Sequence, residues 1–264
     1  SVGRLSPRRG TFDQRRAERG LLNDPSLQVE LDRDHEPPLV PVGARRRRVV
    51  APAPNAGERG VVEAGIAGRA VQAHVGDASA NVEANRRLLR RAAHLPAEPM
   101  WLEQVHGTEV VSHDGRSDVP RADAAMTQGR RRVCAVLTAD CLPVVLADRA
   151  GSRVAVVHAG WRGLAHGVVE ATVRALHCPP AELLAWLGPA IGQQAFEVGT
   201  EVRDAFVARS AQLAGCFAEN ERGRFQADLY GLATAALADA GVTAVHGGGW
   251  CTASDPQRFF SFRR

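Results

Sequence analysis

Residues 154–173, VAVVHAGWRGLAHGVVEATV, decide how the chain reads. An apolar run of strand type carries into His158, breaks at Gly160 to Gly163, and resumes at helical spacing. A tight connection between two buried elements therefore holds His158, Trp161 and Arg162. Working outward, MWLEQV, EVVSH, VCAVLTA, PVVLAD and RVAVVHA are short Val- and Leu-rich runs bounded by Gly, Pro or Asp, the pattern of strands. Several are apolar throughout, which places the sheet around residues 133–158 inside the molecule with both faces covered.

Helical spacing recurs in DASANVEANRRLLRRAAHL, where Val82, Leu88, Leu89, Ala92 and Leu95 share a face. Asp77 or Ser79 is its expected N-cap, and Pro96 lies just beyond. HGVVEATVRALH, TEVRDAFVARSAQLAG and ADLYGLATAALADAG are further helix candidates, separated by the strand candidates LLAWLG and VTAVHGG. The order is mixed, so the expected class is α+β, layered mixed β-sheets flanked by helices. Residues 1–72 are rich in Pro, Gly and Arg without a sustained period, and read as an irregular or disordered extension. The ordered domain is expected over residues 73–264.

Composition removes several functions. The net charge of +4 comes entirely from residues 1–72, with 13 Arg against 9 acidic residues; the body is balanced at 20 of each. A neutral body without a basic-aromatic stripe argues against nucleic acid as a partner. No apolar window reaches the roughly 20 residues of a membrane helix, and the start lacks a secretory pattern, so the expectation is a cytoplasmic protein without a membrane partner. Five cysteines without CxxC spacing argue for reduced thiols. Neither GxGxxG nor GxxxxGK[ST] is present, so the usual nucleotide loops are not used.

Three metal-ligating side chains stand at expected strand ends: His106 in WLEQVHGTEV, Cys141 in VLTADCLPVVLAD and His158 in VAVVHAGWRG. They lie 35 and 17 residues apart, so only the fold can join them. A single His or Cys near a strand end is more often a packed or hydrogen-bonded core residue than a ligand. Together, His2Cys suits a catalytic zinc that keeps a fourth position for water or substrate, and such water titrates near roughly 7. The glycines beside His158 allow close backbone approach, and Arg162 can face an anion.

QVHGTEVV, TADCLPVVLAD, VAVVHAGWRGLAHGVVEATV, LGPAIGQQAFEVGTEV and CTASDPQRFFSFRR, in this order, resemble the laccase-domain family, also described as multicopper polyphenol oxidase or peptidoglycan editing factor. The resemblance spans residues 73–264. It implies a laccase-domain, cysteine-hydrolase-like fold, with zinc held by the positions matching His106, Cys141 and His158. It also implies phosphorolysis of adenosine, inosine, guanosine and methylthioadenosine, and deamination of adenosine. The expected partners are a purine nucleoside and phosphate, and the chain is expected as a monomer or weak homodimer. Arg162 is the candidate for holding phosphate, with Cys141 and Asp140 as further catalytic candidates; Gln104 and Glu197 join Arg162 as substrate-binding candidates.

Two departures stand out. Where family members carry a segment like TTRxGGVS…SLNLG, whose Arg and Asn line the site, this chain has GERGVVEAGIAGRAVQAHVGD. The expectation is that residues 1–72 were read in a shifted frame. The chain also stops at FSFRR, where the family continues into TGRxAxLIWL, so a final core strand is expected to be missing. Competing readings are a copper polyphenol oxidase, a cysteine hydrolase with Cys141 as nucleophile and His158 as base, an editing hydrolase of cell-wall precursors, and a non-catalytic interaction protein. None of the nine His forms the His-x-His pair common in copper clusters.

Overall fold

Two apolar runs make the central pair of the main sheet. Strands β5 (Leu142–Asp148) and β6 (Val154–Ala159) pair antiparallel, with Pro143 opposite His158 and Val144 opposite Val157. The turn between them is closed by Asp148, whose carboxylate accepts from the Ser152 and Arg153 N–H groups at 2.6 and 3.0 Å. The computed structural model describes residues 49–50, 63–64, 79–115 and 118–264. The expected irregular extension and the shifted frame lie outside these residues, apart from β1 (Val49–Val50) and β2 (Glu63–Ala64), which pair antiparallel.

Around the central pair stand β3 (Val110–Ser112), β4 (Ala124–Thr127), β7 (Leu183–Leu187) and β11 (Ala244–Gly247). The order across the sheet is β11-β7-β5-β6-β4-β3. The two outermost pairings are parallel and the inner three antiparallel, so the sheet is mixed. A second, antiparallel sheet joins β8 (Glu197–Val198), β10 (Phe225–Ala227) and β9 (Phe217–Glu219).

Side chains alternate across the main sheet with period two. Val144, Val157 and Ala124 enter the larger core with α2 (Trp161–His166), α3 (Val168–Ala175), α4 (Thr200–Val207) and α5 (Leu229–Asp239). Val156 and Ala125 face the other way, into a smaller core with Met100, Leu102 and Val111. Both faces of the central strands are thus covered, and the class is α+β with layered sheets and helices. Among the described residues the first helix, α1 (Ser79–Ala92), begins at Ser79; Asp77 lies outside them. Val82 is buried, whereas Leu88 is 43% exposed. Among the described residues no helix is long and apolar enough to cross a membrane.

The structure corrects three local expectations. MWLEQV and VCAVLTA form no strands; only isolated bridges link Met100 to Cys134 and Glu103 to Arg121. The Gln104 side-chain amide donates to the Leu137 carbonyl at 2.8 Å and accepts from its N–H at 2.7 Å, so a side chain takes the place of a ladder rung. The break expected at Gly160 to Gly163 also moves. Helix α2 starts directly at Trp161 and contains Gly163, and the interruption falls at Gly167, whose φ of 93° is left-handed. Finally, only His158 stands at a strand's far end. Cys141 immediately precedes β5, and His106 sits in a loop with φ 60°.

Candidate metal centre

Strand β6 carries His158 on the same face as Val156, toward the loops of the smaller core. The loop holding His106 reaches it through Asp123, the fully buried residue just ahead of β4. The Asp123 carboxylate accepts from the N–H groups of Val105, His106 and Gly107 at 3.2, 2.9 and 2.6 Å. Its Oδ1 also lies 2.8 Å from His158 Nδ1. One buried carboxylate therefore shapes the first histidine's loop and orients the second histidine's ring. With the Nδ1 proton donated to Asp123, Nε2 of His158 is the atom that presents a lone pair once the ring is neutral.

Cys141 completes the group. One ligand atom from each of His106, Cys141 and His158 lies within 4.8 Å of the others. The Cys141 sulfur is 3.8 Å from His106 Nε2, and the two imidazoles meet edge to face at 4.7 Å. Such crowding needs a neighbour without a side chain. A Cβ on Gly160 would stand 2.8 Å from His106 Cδ2 and 3.0 Å from the Cys141 sulfur. Gly163 does the same farther along the chain, where a Cβ would come within 2.9 Å of the Gly107 carbonyl oxygen. Two glycines of the HAGWRG stretch thus let the QVHG loop close over the centre.

The electrostatics follow from the packing. Burial opposes charge on Cys141, but hydrogen bonding and attraction from His106 and His158 prevail and lower its thiol to about 6. Burial likewise opposes charge on His158, and the bonds to Asp123 and Cys141 prevail, raising it to about 9. For Asp123, burial acts upward, yet His158 and the backbone donors hold its carboxyl below the usual range. Two nitrogens and one sulfur, already poised as thiolate beside a carboxylate-braced imidazole, form a donor set that fits a borderline divalent ion.

The other sequence candidates are engaged elsewhere or by their own neighbours. Arg162, the second residue of α2, is exposed and its guanidinium lies 4.4 Å over the Trp161 ring. Gln104 spends both ends of its amide on Leu137. Glu197 in β8 binds Asn220 at 2.8 Å and pairs with Arg222 and Arg224. Asp140 turns its oxygens to Thr252, Ser261 and the Arg263 N–H. Sequence reasoning missed Asp123. Its signal was slight: a single acidic residue directly before a wholly buried apolar run.

Residues 55–264 match the family described as multi-copper polyphenol oxidoreductase laccase. The chain belongs to this laccase family. Among similar proteins is Purine nucleoside phosphorylase PA4543 of Pseudomonas aeruginosa, 56% identical over 193 residues, covering 73% of this chain and 78% of that one. Purine nucleoside phosphorylase YfiH of Escherichia coli is 49% identical over 193 residues, covering 73% and 79%. The crystal structure of Neisseria meningitidis protein NMB0706 superposes with a TM-score of 0.72 at 41% identity, covering 83% of this chain and 86% of that one. YlmD of Geobacillus stearothermophilus gives 0.66 at 27% identity, covering 75% and 80%. Laccase-family membership thus rests on both the sequence match and the shared fold.

Proposed function

We propose that this chain is a zinc-dependent purine nucleoside phosphorylase acting on adenosine, inosine, guanosine and methylthioadenosine, with adenosine deaminase activity, in the cytoplasm. The observation that carries the reading is the convergence of His106, Cys141 and His158, in a chain whose similar proteins bear the phosphorylase name. Zinc held by these three residues supplies Lewis acidity toward a substrate oxygen or water. Asp123 keeps the proton on His158 Nδ1 and the Gly107 loop in place. Arg162 offers phosphate the paired donors that suit a tetrahedral oxyanion. In phosphorolysis the C1′–N9 bond breaks, a C1′–O bond to phosphate forms, and the purine leaves with the bonding pair and takes up a proton. In deamination water adds at C6 and ammonia leaves. Gln104 and Glu197 are the further substrate-binding residues of this reading; their side chains bond Leu137 and Asn220.

Purified chain incubated with adenosine and phosphate is expected to yield adenine, ribose-1-phosphate and inosine. Arg162→Ala should raise the KM for phosphate while sparing deamination. Zinc-replete, folded protein that forms none of the three products would sink the proposal.

A second reading follows from the low thiol of Cys141 between two imidazoles: a cysteine hydrolase acting on cell-wall precursors. The two separate on Cys141→Ala, which loses zinc if the sulfur is a ligand, and keeps it while losing hydrolysis if the sulfur is the nucleophile. His2Cys donors also accept copper. Among the described residues, however, only one such group comes together, which speaks against a cluster of several coppers. Oxygen consumption with a phenol that tracked bound copper would favour the polyphenol oxidase.

A further inference from the structure

Two of the three candidate ligands, His106 and His158, are braced by Asp123, and the question is what braces the third. Cys141 lies between β5, whose first residue Leu142 pairs with Ala159, and Asp140, whose φ of 84° is left-handed. Few residues other than glycine hold that backbone unless their surroundings enforce it. Asp140 is buried, at 7% exposure, and is fixed on both sides of its Cα. Its carbonyl accepts from the Ile191 N–H at 2.9 Å. Its Oδ1 accepts from the Thr252 hydroxyl at 2.5 Å, and its Oδ2 from the Ser261 hydroxyl at 3.0 Å and the Arg263 N–H at 2.8 Å.

The donors come from the far end of the chain and are themselves anchored. The Arg263 guanidinium donates to the Glu197 carbonyl at 3.0 Å and lies over the Phe196 ring at 5.4 Å. Arg264 donates to the carbonyls of Thr252, Ala253 and Phe259 at 3.1, 3.1 and 2.8 Å. Three donors engage the Asp140 carboxylate, and none belongs to the ligand trio.

We infer that Asp140 is a positioning residue: its carboxylate, clasped by residues 252–263, sets the place of the Cys141 sulfur in the metal centre. The inference rests on the metal reading above and gives the carboxyl-terminal stretch a role in it. Asp123 and Asp140 then divide the support of the centre, the first serving the two nitrogens and the second the sulfur.

The test uses the full chain loaded with cobalt(II) alone, read by the sulfur-to-cobalt charge-transfer absorption and by affinity in competition with a chromophoric chelator. Asp140→Gly keeps the left-handed backbone and removes the clasp. It is expected to displace the band and weaken affinity about tenfold or more. Asp140→Asn retains one acceptor oxygen and should fall between Gly and the parent. Asp148→Asn, which removes a buried carboxylate at the other end of β5, should lower thermal stability and leave the cobalt spectrum unchanged. Folded Asp140→Gly with the parent band and affinity overturns the inference. Should that variant not fold, the Thr252→Val, Ser261→Ala double variant decides the same way: a displaced band supports the clasp and an unchanged one overturns it. A parent chain that binds cobalt without any sulfur band defeats the metal reading itself, and the inference with it.

Discussion

Asp123 accepts hydrogen bonds from three backbone N–H groups and one imidazole, so removing its charge while keeping its shape isolates its hold on the centre. Asp123→Asn is expected to lower zinc affinity by about 10- to 100-fold, measured by chelator competition, because His158 loses the partner that fixes its tautomer. Proton linkage gives a second prediction. Between pH of about 6 and about 9 the metal-free centre holds Cys141 as thiolate and His158 as imidazolium. Ligation displaces one proton from His158 over that range, so zinc affinity should rise about tenfold per pH unit and level off above it. Titrations across that interval check the slope; a flat profile would contradict it. The grouping of His106, Cys141 and His158 was legible in the sequence because thiol and imidazole are few and chemically distinctive. Asp123 was not, and Asp140, though a catalytic candidate beside Cys141, gave no sign of its clasp, because a lone acid beside a strand looks like a turn residue until its partners are seen. Those partners lie 35 residues away at His158 and 112 away at Thr252.

The legible elements were those in which periodicity and burial agree. Strands β5, β6 and β7 and helices α3 and α5 appear where the apolar spacing placed them. Residues 100–105 and 133–139 carry strand composition but satisfy their backbone through bridges and the Gln104 amide, which spacing does not reveal. Strands β8, β9 and β10, at two or three residues each, are too short to show a period. The α2–α3 junction is the element most sensitive to one change. Its left-handed Gly167 donates to the Gly163 and Leu164 carbonyls, ending one helix as the next begins. Gly167→Ala is expected to cost about 1–2 kcal/mol in chemical denaturation, since a Cβ disfavours that conformation. No loss would show that the junction relaxes to another backbone.

Across the whole molecule, the centre draws on segments far apart in the chain, so its occupancy and the stability of the fold are linked. Zinc at about 100 times its Kd should stabilise the stripped protein by about 2.7 kcal/mol. For a domain of this size that is a rise in Tm of about 5–10 °C, read by thermal unfolding with and without a chelator. An unchanged Tm at confirmed occupancy would mean that the ion binds the unfolded chain as well. Free thiols at all five cysteines leave no covalent tie to mask this effect. The pairing of β5 with β6 carries one more implication. His158 stands opposite Pro143, and sliding either strand by a single residue would turn the imidazole toward the helices and hand its place to an aliphatic neighbour. On the proposed metal reading, ion capture during refolding would therefore proofread strand alignment: misaligned chains would stay empty, and correctly aligned ones would be trapped by what they hold.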